Sequence, residues 1–135
     1  MSYQETLVNV TLDADASVGV YTGVAGLPGS AVNNAGLQYR FVKVTGEHQA
    51  GLVTAATDTV VGVLQNKPQG VGHAATVALS GISHVEAAGV IAAGDTVAPD
   101  AVGRASSSAT NVVGIAIHSA AAAGQLVPVL LRLGN

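Results

Sequence analysis

Apolar and polar residues alternate with a period of two along much of this chain. Residues Tyr39-Arg40-Phe41-Val42-Lys43-Val44 put Tyr39, Phe41 and Lys43 on one face and Arg40, Val42 and Val44 on the other. Successive strand side chains point to opposite sides, so this pattern predicts a β-strand. Thr6–Leu12 alternates in the same way. Further strands are predicted at 51–55, 60–65, 75–80, 83–86, 96–98, 112–118 and 126–131, with a turn over Thr45-Gly46-Glu47-His48. Turn signals recurring about every ten residues predict an all-β sandwich or barrel. Helix signals are sparse. Val85–Ala88 and Ala120–Ala123 have helical propensity, but Gly89 and Gly124 end them, which leaves room for one or two short helical turns at most.

The strand pattern is written twice. Shifting residues 44–79 by 52 positions lays them on 96–131 without a gap. Val60-Val61-Gly62-Val63 then meets Val112-Val113-Gly114-Ile115, Gly72 meets Gly124, and Gly51 meets Gly103. The shared positions are apolar strand residues and glycines where a chain turns. This divides the chain into an N-terminal segment, 1–36, and a β-domain, 37–135, holding two pseudo-repeats. The segment carries Gly19, Gly23, Gly26, Pro28-Gly29 and Asn33-Asn34, a density that breaks regular elements. It reads either as an extended arm or long loop packing against its own domain, a neighbour or a larger partner, or as a partly disordered tail.

Composition narrows the function. The chain has 135 residues, enough for one domain with a real core. Only 10% of residues are charged, against about 25% in ordinary soluble domains. There is no cysteine, which excludes disulfides and thiolate metal sites. Five Lys/Arg are scattered and aromatics make up 3%, so neither a basic patch nor a stacking platform for nucleic acid is visible. Residues 112–131 are uncharged and long enough to span a bilayer, yet His118, Gln125, Pro128 and a small-residue middle break them into two strands and a loop. No secretory signal is evident in MSYQETLVNV. The low charge and a mean hydropathy of +0.48 leave apolar surface for a neighbour to cover.

Candidate chemistry is thin. Gly70-x-Gly72-x-x-Ala75 fits a dinucleotide fingerprint, but the residues that follow read as a strand, whereas phosphate binding needs a helix N-terminus. His84-Val85-Glu86 matches the opening of a zinc deaminase signature, whose remaining part requires cysteine. On one strand face His84 and Glu86 would pair with each other instead. His48, His73, His84 and His118 lack metal-ligand spacing, and there is no G-x-S-x-G elbow. Gly94-Asp95-Thr96-Val97 opens a tight turn into a short strand, Pro99-Asp100 supports a second turn, and Gly103 returns the chain. Carrier domains of the biotinyl or lipoyl kind share the G-D-x-V turn, but need a lysine at a hairpin tip. Lys43 falls within a strand and Lys67 lacks the usual neighbours. No catalytic, cofactor-binding or metal-ligating residue is assigned, and an enzyme is not expected.

Two stretches carry a family resemblance: Ala92-Ala93-Gly94-Asp95-x-Val97-x-x-Asp100-x-x-Gly103-Arg104-Ala105 followed by Val113-Gly114-Ile115-Ala116, and Val61-Gly62-Val63-Leu64-Gln65-Asn66-Lys67-Pro68. Over residues 39–131 the chain resembles the capsid decoration, or cement, proteins of tailed bacteriophages. The resemblance implies a small all-β fold, a β-sandwich or partly open, β-tulip-like barrel with an extended N-terminal arm. It also implies a structural virion protein that binds the outer capsid surface and stabilises it, with the major capsid protein as partner and a homotrimer as the working form. No nucleic acid, membrane, small-molecule substrate or cofactor is implied. The alternative is another structural or adhesive β-module, such as a fibre, baseplate or surface-layer component. Gly94, Asp95, Gly103 and Gly114 carry over as structural turn positions. The N-terminal segment departs from the family's usual opening. Its Tyr3, Leu7, Val8, Val10 and Leu12 are the expected apolar contacts with capsid or neighbour, by a strand that extends a neighbour's sheet.

Overall fold

A computed structural model describes residues 7–18, 38–68 and 70–133. The strands are β1 (Val8–Ala14), β2 (Phe41–Gly46), β3 (Gln49–Leu52), β4 (Gly62–Leu64), β5 (Ala74–Glu86), β6 (Thr96–Pro99), β7 (Ala105–Ser107), β8 (Gly114–Ala116) and β9 (Leu126–Leu131). Among the described residues there is no helix. The fold is all-β, in the barrel form of the two architectures that the pattern predicts.

Strands β1-β3-β2-β4-β5 form a closed five-stranded barrel, because β1 also pairs with β5. β1 runs parallel to β3, with Asp13 opposite Gln49, and antiparallel to β5, with Val10 opposite Val77. β5 is 13 residues long and outlasts this barrel. From Gly81 onward it pairs with β9 instead. Two separate strands are predicted here, at 75–80 and 83–86. A glycine with φ 101 lets one strand bend through that point instead of ending. The second half of β5 begins the series β5-β9-β8-β6-β7. Its two ends meet at a parallel bridge, Ala87 to Ala105, where the Ala88 N–H donates to the Ala105 carbonyl at 2.7 Å. We call these units barrel 1 and barrel 2.

The two barrels match in register. Val63 opposes Ala78 and Leu64 opposes Val77; 52 positions on, Ile115 opposes Leu130 and Ala116 opposes Val129. The loops repeat as well: Gln65 N–H donates to Thr76 O, and Ile117 N–H to Pro128 O. Upstream of β4 and β8 the correspondence is 55 positions. There Val42 opposes Leu52 as Val97 opposes Ser107. The three-residue change falls in the β7–β8 connection, which is shorter than β3–β4. Gly51 therefore answers to Ser106 rather than to Gly103. Gly51 lies inside β3, whereas Gly103 sits in the β6–β7 turn. β1 answers to the second half of β5: Gly72 N–H donates to Ala14 O, and Gly124 N–H to Ala87 O.

Alternation places equivalent residues inside each barrel. Leu12, Val42, Leu64 and Val77 belong to one buried cluster with Ala14, Ala50 and Ala75. Val85, Val97, Ala116 and Val129 take the same places in barrel 2. Small side chains suit the narrow interior that five strands enclose. Phe41, Val63 and Ala78 point the other way, out of barrel 1, and are completely buried in the barrel 2 cluster with Val113 and Leu131. The barrels therefore share one continuous apolar junction.

Candidate interaction surface

The junction is sealed by polar groups as well. Backbone from Tyr39 to Phe41 enters the seam between β5 and β7. Glu86 N–H donates to Tyr39 O at 2.9 Å, and Phe41 N–H donates to Gly103 O at 2.7 Å. Arg40 spans the same seam. Its guanidinium meets the Glu86 carboxylate at 3.2 Å and the Val102 carbonyl at 3.3 Å, while its Nε is buried without a partner. Tyr39 has φ 67 at the position where barrel 2 has Gly94 with φ 90. A tyrosine is strained in that region, and its place in the seam holds it there. The ring lies edge-on to His84, with centroids 6.3 Å apart. The expected His84–Glu86 pair does not form, because Glu86 is bound by Arg40.

Two loops clamp the barrels from the other side. Asn111 of the β7–β8 loop donates its amide to the carbonyls of Ala56 and Asp58, both at 2.8 Å. Asp58 in turn accepts from Lys43 Nζ at 2.8 Å and from the N–H groups of Thr54 and Ala55. The Lys43 hydrogen bond first, and the Thr54 N–H next, hold the Asp58 carboxyl down to about 2. Arg104 pairs with Asp100 inside the β6–β7 turn at 3.1 Å. Three of the five basic side chains are thus committed to structural ion pairs; Lys67 and Arg132 stand exposed. Among the described residues, no group of three His, Asp or Glu could hold a metal ion.

Of the expected contact residues, Tyr3 lies outside the described residues. Leu7 is half-buried against the main core, Val8 is 52% exposed, and Val10 is half-buried. Leu12 faces the interior of barrel 1 and presents nothing outward. Gly94 and Asp95 form the turn before β6, where Asp95 Oδ2 accepts from Ala92 N–H and from Ser107 Oγ. Gly114 is not in a turn. It opens β8, so close to β9 that a Cβ would stand 2.5 Å from Val129 Cγ1.

Among the described residues, two groups of open apolar side chains stand out, apart from Val71, Val90 and Val102, which are exposed singly on loops. One is the outward face of β9 and β8, with Leu126, Leu130 and Ile117 exposed and Ile115 half-buried. In the sequence they fall within the strands predicted at 112–118 and 126–131, with nothing to set them apart from their neighbours. What separates them from the buried set is their parity along β9, which is legible only once Val127, Val129 and Leu131 are known to face inward. The other is one end of barrel 1, with Val8 and Val44 exposed and Val10, Val61 and Leu79 half-buried. An exposed apolar surface of this kind is suited to packing against another surface.

Comparison with known proteins agrees. The family model for phage cement protein matches residues 38–133, and the chain belongs to that family. Among solved structures, the chain is similar to the N base of the head fibre protein gp8.5 of bacteriophage phi29. The TM-score is 0.60 at 21% identity, over 94% of this chain and 95% of that one. At that identity the likeness is one of fold. No curated protein sequence matches the chain. The family makes this a structural protein of the phage particle, associated with the capsid.

Proposed function

We propose that this chain attaches to the outside of an assembled phage head, on the major capsid protein, as a homotrimer, and that it stabilises the shell without catalysing a reaction. The observation that carries this reading is the family match over residues 38–133. The surface is consistent with it. Its open apolar side chains are small or aliphatic, and most of its cations are used internally. Three linked copies multiply modest contacts into lasting occupancy, because each later attachment is intramolecular. The start of the chain, from Tyr3 through Leu7 and Val8 to Val10, is the proposed contact with capsid or neighbour.

A second reading takes its warrant from the fold neighbour, a head fibre base. In that reading the two barrels are a pedestal that holds a projection on the head. Heads purified without the protein and then incubated with it discriminate the readings by electron microscopy. Decoration predicts compact density on the shell and heads that survive harsher heating. A pedestal predicts attachment with no gain in head stability.

A further inference from the structure

Barrel 1 meets barrel 2 through two unlike surfaces. One is the outer wall of barrel 1, formed by Phe41, Val63 and Ala78, all fully buried. The other is the end of barrel 2, where Ser83, Val113 and Leu131 are at most 5% exposed. The matching registers give each surface a counterpart on the other barrel. The wall's counterpart on barrel 2 is Thr96, Ile115 and Leu130, which stand opposite one another as Phe41, Val63 and Ala78 do. The end's counterpart on barrel 1 is Val10, Val61 and Leu79, beside Val44 and Val8. One wall and one end are thus used up inside the chain. Among the described residues nothing covers the second wall and the second end, with Leu130 37% exposed and Val44 59% exposed.

We infer that a second copy of this chain covers them: the barrel 2 wall of one molecule seats on the open barrel 1 end of the next, repeating the internal contact between molecules. The internal junction demonstrates that a wall and an end of this module fit together. The open wall keeps its apolar bulk in redistributed form. Leu130 stands for Ala78 and Ile115 for Val63, while Thr96 replaces Phe41. None of the named residues on either open surface is charged, so burying them strands no ion. Wall and end are different surfaces, so the contact is head-to-tail. Such contacts close into a ring when the rotation per copy permits. In a ring of three, barrel 1 and barrel 2 would alternate around the circle. The inference specifies the trimer proposed above, yet it is tested with no shell present, so its failure leaves capsid attachment standing.

The experiment is native mass spectrometry and sedimentation of the full chain over a wide concentration range. Wild type is expected to form a discrete closed oligomer. Leu130→Glu breaks the wall and Val44→Glu breaks the end. Both positions are exposed, and circular dichroism confirms that each variant folds; Ile117→Glu replaces the wall variant if Leu130→Glu does not. Each variant alone is expected to be a monomer. Mixed in equal amounts they are expected to give a dimer and nothing larger, since one chain retains an intact wall and the other an intact end. Three results overturn the inference: a wild-type monomer at every concentration, a variant that assembles as wild type does, or a mixture that stays monomeric.

Discussion

Val63 on β4 and Ile115 on β8 occupy the same place in their barrels, and only Val63 is covered. Both oppose an outward residue of the neighbouring strand, Ala78 and Leu130 respectively. Val63 is fully buried under barrel 2, while Ile115 is half-exposed. The difference lies in what packs outside each barrel, not in the strands themselves. Phe41 marks the covered wall most strongly, as the largest fully buried side chain among the described residues and the chain's single phenylalanine. Phe41→Ala is expected to cost about 3–5 kcal/mol. Thr96→Ala, at the equivalent open position, loses only the Oγ1 hydrogen bond to Ser108 O and is expected to cost about 0.5–1.5 kcal/mol. Urea unfolding of both variants checks the contrast.

Asn111 ties the barrels through two carbonyls, and its φ of 57 suits Asn and Asp alike. Asn111→Asp keeps the backbone geometry but turns a two-bond donor into an acceptor facing two acceptors. The expected loss is about 1–3 kcal/mol. Asn111→Gly, which leaves no opposing charge, is expected to lose less. Equal losses in chemical denaturation would remove Asn111 from the junction.

Gly94 and Gly103 share a positive φ, 90 and 80, but differ in their surroundings. A Cβ at Gly94 meets nothing within 4 Å, whereas at Gly103 it stands 2.8 Å from Phe41 O and 2.9 Å from Leu52 Cδ1. Gly94→Ala is expected to cost about 1–2 kcal/mol from backbone strain alone. Gly103→Ala carries the same strain and also pushes the β6–β7 turn away from β2, so its loss must be larger. Thermal unfolding of the two variants compares them directly.

Asp58 predicts an acid response. Its carboxyl is held down from 3.8 to about 2 in the folded chain, chiefly by Lys43. A depressed carboxylate contributes stability that is complete above its unfolded value and is lost as pH falls through its folded one. Wild type is therefore expected to lose melting temperature between about pH 4 and pH 2 more steeply than Asp58→Asn. Parallel slopes for the two proteins in that window would contradict the Lys43 assignment.

Much of the barrel was legible in the sequence, because strands half-buried against a core alternate. β9 reads out of Leu126–Leu131 without error, and β4 and β8 fall inside their predicted runs. β7 is absent from the predicted strands because Ala105-Ser106-Ser107 carries no apolar alternation; its strand state comes from pairing with β6. The strand predicted from Tyr39 starts at Phe41, since Tyr39 adopts a positive φ in the seam of barrel 2. Gly81 looked like a break and is a bend. The open wall was the hardest feature to see. Ile115 and Leu130 look like any strand residues until the register shows which of the two equivalent walls is occupied.

The most direct test of the central claim is to add the purified protein to heads assembled without it and to image them by cryo-electron microscopy. The account predicts ordered density of two-barrel shape at repeated positions on the outer shell, together with heads that resist heating better than bare ones. Bare shells after incubation, with the protein recovered free in solution, would contradict it.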